Sequence, residues 1–141
     1  MKFVLDTNAV SALMKGEAPV LKRIGELRRS EIGLPRPVVA EISYGLERLP
    51  NSKRRTELEA RFELIRLELP RAEWTDAVSQ AFGEIKAALE KKGQRLEDFD
   101  LAVAAHAVAA GAVLVTSNLD HMLRIPGLKV EDWSRAVEPQ R

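Results

Sequence analysis

Ala112-Val113-Leu114-Val115-Thr116 is apolar without a break until its final hydroxyl. A short, β-branched run with no polar alternation reads as a strand buried on both faces, as in a parallel sheet covered by helices. Gly111, just before it, is placed to end a helix. Leu101 to Ala110 is apolar nearly all round, so that helix is buried as well. Its first turn is acidic, Glu97-Asp98-Phe99-Asp100, which suits the positive end of a helix dipole, and Asp98 is the more natural cap.

The same logic works outward to the start of the chain. Lys2-Phe3-Val4-Leu5 is a second buried strand, stopped at once by the capping types Asp6-Thr7-Asn8. A short helix over Ala9 to Met14 follows, closed by Gly16, and then a helix over Val20 to Arg29 with Val20, Leu21, Ile24 and Leu27 inward. Glu31 to Leu34 is a strand. Arg36-Pro37 opens a helix that carries Val38, Val39, Ile42, Leu46 and Leu49 up to Pro50. Lys53 to about Arg66 is a charged amphipathic helix, and Leu67 with Leu69 predicts a short strand before Pro70. Ala72 to Lys92 is a long helix with a stripe of Trp74, Val78, Phe82, Ile85 and Leu89. Leu128-Lys129-Val130 is a last strand. Short strands alternating with helices predict an α/β sandwich around a mostly parallel sheet. Residues 1–133 form a single domain and residues 134–141 a C-terminal tail.

Composition narrows the chemistry. The chain has 141 residues, 45% of them hydrophobic and 30% charged, enough for one folded domain. It contains no cysteine, which excludes a disulfide scaffold, a thiolate zinc site and a cysteine nucleophile. Two histidines exclude a three-histidine metal site. No apolar run approaches a membrane span, and Asp6 interrupts any signal-peptide core, so the expected location is the cytoplasm. With 22 basic and 21 acidic residues the net charge is +1, so any grip on nucleic acid must come from local clusters. The chain has no G-x-x-x-x-G-K, no G-x-G-x-x-G and no G-x-S-x-G.

Ligands of open parallel sheets gather outside the carboxyl ends of the strands. The two strongest strands end there in Asp6-Thr7-Asn8 and Thr116-Ser117-Asn118, while two helices bring Glu41 and Asp100. If these ends converge, Asp6, Glu41 and Asp100 form one acidic pocket whose mutual repulsion a divalent cation relieves. Oxygen-only donors point to Mg²⁺ or Mn²⁺ rather than zinc. Taken singly, each residue has an ordinary structural use: Asp6 as a helix cap, Glu41 as a solvated helix acid, Thr116 and Asn118 as a polar strand end. His106 reads as a packed or hydrogen-bonded core histidine and His121 as loop surface. The pairs Arg28-Arg29 and Arg54-Arg55 read as solvated faces. Asp6-Thr7-Asn8 is superficially like the D-x-D of haloacid dehalogenase-type phosphatases, but Asn8 replaces that family's general acid. A non-catalytic acidic binding module and a phosphatase-like phosphate-ester hydrolase therefore stand as alternatives to a nuclease.

In order along the chain, the motifs resemble PIN-domain nucleases, specifically the VapC-type toxins of toxin–antitoxin pairs. Phe3-Val4-Leu5-Asp6-Thr7-Asn8 resembles the family's opening, Val39-Ala40-Glu41-Ile42-Ser43-Tyr44-Gly45 its second motif and Asp98 to Ala107 its third. Leu114 to Asn118, then Ile125-Pro126-Gly127-Leu128 and Val130-Glu131-Asp132-Trp133, resemble the closing segment. The resemblance implies a three-layer α/β/α fold and a Mg²⁺-dependent endoribonuclease whose products carry 5′-phosphate and 3′-hydroxyl ends. It also implies a homodimer and a small cognate antitoxin. It assigns Asp6, Glu41 and Asp100 to the catalytic acids, with Asp6 and Asp100 as the metal ligands. Thr7, Thr116, Asn118 and Asp120 surround them as outer-shell or substrate groups. The family's fourth acidic position falls on Asn118, an amide here, and the acid often found three residues further on is replaced by His121.

Overall fold

The structure is a computed structural model that describes residues 1–135. Five parallel strands form one sheet: β1 (Phe3–Leu5), β2 (Ile32–Pro35), β3 (Arg71–Ala72), β4 (Val113–Val115) and β5 (Val130–Glu131). Their order is β3-β2-β1-β4-β5, so β1 lies at the centre. Every residue of β1 and β2 is buried, which requires cover on both faces of the sheet. That cover comes from α1 (Thr7–Met14), α2 (Ala18–Gly25), α3 (Arg36–Glu47), α4 (Lys53–Glu68), α5 (Asp76–Lys91), α6 (Asp98–Ala110) and α7 (Leu119–Met122). The α/β/α sandwich with a parallel sheet is as the sequence predicts. Among the described residues no helix is long and apolar enough to cross a membrane.

Register sets the functional edge. Leu5 pairs with Val115, so β1 and β4 end side by side, and the Asp6 N–H donates to the Val115 carbonyl at 3.0 Å. Asp6 and Thr116, the next residue of each strand, are therefore neighbours. The buried helix α6 ends as expected on Gly111, whose φ of 62° is the left-handed conformation a helix stop needs.

Several local expectations fail, each for a short-range reason. The strand expected at Leu67 and Leu69 is not there. α4 runs on to Glu68, because no breaker intervenes before Pro70, and Leu67 stays exposed on it. Only Leu69, the residue before proline, is forced into an extended conformation, and the strand forms after it at Arg71–Ala72. α5 starts at Asp76 rather than Ala72, because Thr75 caps it by accepting from the Val78 N–H. Trp74 is thus outside the helix and 45% exposed, with its Nε1–H donating to Ser79. Asp98 is not the cap of α6: Glu97 holds that position, and Asp98 pairs with Lys86 at 3.0 Å. Arg55 is no solvated face but a clamp between α3 and α4, donating to Glu47, Glu59 and the Leu49 carbonyl. Of the expected tail, residues 136–141 lie outside the described residues.

Candidate active site

Asp6 leaves the end of β1 with a buried carboxyl, 6% exposed. One oxygen accepts from the Ala9 N–H at 2.9 Å, so Asp6 does cap α1. The Thr116 hydroxyl at the end of β4 lies beside it and lowers its pKa, while the charge of Asp100 raises it. Burial is the largest influence, and it pushes the Asp6 carboxyl up to about 6 against the relief from its hydrogen bonds. Capping a helix and serving a site are not exclusive, because a carboxylate has two oxygens.

Asp100 enters from the first turn of α6 and is half-buried. Burial raises its pKa, the charges of Glu41 and Glu97 raise it further, and His121 opposes them. Glu41 enters from the second turn of α3. Its Oε1 accepts from the Thr7 hydroxyl at 2.8 Å, a bond that ties α3 to the start of α1 across 34 residues of sequence. At this sheet edge the charge of Asp100 acts on Asp6 and that of Glu41 on Asp100, while Thr7, next to Asp6 in the chain, holds Glu41 in place. Among the described residues, no three carboxylate or imidazole groups already stand at ligating distance from one point. The donor set is nonetheless oxygen-only and acidic, and its most buried member holds its proton more tightly than a free carboxyl. A hard divalent cation suits such a set, since it replaces that proton and offsets the repulsion.

The outer groups sort clearly. Thr116 is 1% exposed and its Oγ1 also accepts from the Asn118 N–H at 2.9 Å. Asn118 Oδ1 in turn accepts from His121 Nδ1 at 2.8 Å. Asp120 is exposed and in no ion pair among the described residues. His106 is the buried histidine the sequence predicts, with Nδ1 on the Ala102 carbonyl at 2.8 Å.

The PIN domain family profile matches residues 3–128. A tRNA(fMet)-specific endonuclease VapC of Salmonella typhimurium is 32% identical over 94% of this chain and 98% of its own length. The chain belongs to the PIN-domain family, among its VapC proteins. The ribonuclease VapC2 of Rickettsia felis is 30% identical over 96% of this chain and 100% of its own. The crystal structure of VapBC2 from Rickettsia felis, bound to a DNA fragment from its promoter, matches with a TM-score of 0.83. It is 28% identical over 94% of this chain and 99% of that one. VapC nucleases are divalent-metal dependent as a class, in keeping with the donor set here.

One group at this PIN-domain edge is not legible as a site residue from sequence. His121 reads as loop surface until α7 places it one helical turn after Asn118 and within reach of Asp100. The available signal is the i, i+3 spacing of Asn118 and His121, which pairs side chains only if a helical turn forms there.

Proposed function

We propose that the chain is a Mg²⁺-dependent endoribonuclease, the toxin of a toxin–antitoxin pair, with Mn²⁺ as an alternative metal. The observation that carries this is the meeting of Asp6, Glu41 and Asp100, from three different elements, at the carboxyl edge of the central strand. Full-length likeness to VapC ribonucleases supports it.

Asp6 and Asp100 would hold the metal. When bound, Mg²⁺ lowers the pKa of an attacking water and offsets charge on the phosphoryl oxygens. Thr116, beside Asp6, favours the charged form of its carboxylate, one oxygen of which caps α1. Glu41, steadied by Thr7, orients the water for in-line attack on phosphorus. The phosphorus–O3′ bond breaks, leaving a 5′-phosphate on one fragment and a 3′-hydroxyl on the other. The chain works in the cytoplasm as a homodimer, and its antitoxin silences it by placing a Lys or Arg against the acidic edge.

Purified protein incubated with structured RNA in Mg²⁺, Mn²⁺ or EDTA tests this directly. Cleavage in either metal and none in EDTA is expected. RNA binding without cleavage in any metal would favour a binding module. Hydrolysis of p-nitrophenyl phosphate with RNA left intact would favour a phosphatase.

A further inference from the structure

The hydroxyl that steadies Glu41 at this acidic edge is already committed. The Thr7 hydroxyl donates to Glu41 at 2.8 Å, and a hydroxyl has one proton to give. An incoming phosphodiester meets three carboxylates and needs a donor that is still free. Asn118 carries two on its amide nitrogen, and among the described residues neither is hydrogen-bonded. Its oxygen, by contrast, is engaged. An amide oxygen only accepts, so the His121 Nδ1 that faces it at 2.8 Å bears the proton. With Asn118 Oδ1 turned toward α7, the amide nitrogen is the end left open at the end of β4. The backbone of Asn118 is fixed as well, through its N–H on Thr116.

We propose that His121 is a positioning residue. By holding Asn118 Oδ1 it presents the Asn118 amide nitrogen to a non-bridging oxygen of the RNA phosphodiester, so position 118 binds substrate rather than metal. This rests on the nuclease activity proposed above. It gives this chain a neutral substrate donor beside three carboxylates, and it gives the exposed imidazole a task that acts through another side chain.

The test compares three substitutions of His121. His121→Ala removes the anchor. His121→Asn places an amide N–H where Nδ1 was and keeps the anchor, while His121→Gln carries its amide one bond further out and loses it. Steady-state cleavage of a single-stranded RNA oligonucleotide is measured in Mg²⁺, and Mn²⁺ is titrated calorimetrically into each protein without RNA. Loss of one hydrogen bond to a charged group predicts a KM about tenfold higher for His121→Ala and His121→Gln, with kcat changed by less than about twofold. His121→Asn should return KM to within about twofold of wild type, and Asn118→Ala should match the Asn118→Ala/His121→Ala double variant, since the two residues act as one unit. Mn²⁺ affinity should be the same in wild type and Asn118→Ala, which both keep His121 beside Asp100. Equal impairment of His121→Asn and His121→Ala, or weaker Mn²⁺ binding by Asn118→Ala, would overturn the assignment while leaving the nuclease intact. Wild-type protein that binds Mn²⁺ but leaves RNA uncut would overturn the nuclease and this assignment together.

Discussion

Thr7 and Glu41 are joined by a 2.8 Å hydrogen bond between the first residue of α1 and the second turn of α3. The hydroxyl holds a carboxylate that would otherwise swing freely on a long side chain. Thr7→Val keeps the shape and removes the donor. A hydrogen bond to a charged group contributes about 1.5–3 kcal/mol, so RNA cleavage should fall roughly tenfold to a hundredfold. The bond also ties α3 to α1, so the variant should melt a few degrees lower while staying folded at the assay temperature. Single-turnover cleavage set beside a melting curve separates the two effects.

Asp6 should make the metal-free protein less stable as pH rises. Its carboxyl titrates near 6 when folded and 3.8 when free, so between those values the folded chain binds more protons than the unfolded one. Stability therefore falls from about pH 4 to pH 6 and stays low above that. Asp6→Asn keeps the cap on Ala9, since Asn caps as well as Asp, and removes the buried charge. In EDTA at pH 7.5 it should be more stable than wild type by up to about 3 kcal/mol, with the gap closing near pH 4. Denaturant titrations across that range check it. Added Mg²⁺ should stabilise wild type and not the variant.

His106 should act in the opposite direction. Burial lowers its pKa, and its Nε2 is enclosed without a hydrogen-bond partner, 5.4 Å between ring centres from Trp74. The unfolded chain takes up a proton near pH 6.5 that the folded one resists, so this group favours folding above 6.5 and loses that contribution as pH falls. His106→Leu removes the titration. The stability of wild type relative to His106→Leu should drop between pH 7 and pH 5. A difference that is flat with pH would show that the imidazole is free to charge in place.

The central strands are legible in the sequence because burial on both faces leaves an unbroken apolar run, as in Phe3-Val4-Leu5 and Val113-Leu114-Val115. The edge strand Arg71–Ala72 is not, since two residues cannot show a period, and it exists only by pairing with Leu34 and Pro35. The acids of the site are legible as strand-end and helix-start residues, but each alone looks like a cap or a solvated charge. Their convergence depends on register, Leu5 beside Val115, which no local pattern encodes. Trp74 misleads because it continues the helical stripe of α5 by spacing, while Thr75 starts the helix after it.

The Asp100 carboxylate tests the central claim most directly, since it caps no helix and its charge interacts with both Asp6 and Glu41. Single-turnover RNA cleavage by wild type and Asp100→Asn is to be measured in Mg²⁺ and in EDTA, with a melting curve for each protein. Wild type should cut only with metal. Asp100→Asn should fall by at least about a hundredfold, in the range of losing a principal electrostatic group, while melting no lower than wild type in EDTA. Cleavage by Asp100→Asn within about tenfold of wild type, or cleavage by wild type that persists in EDTA, would contradict a metal-dependent nuclease at this edge.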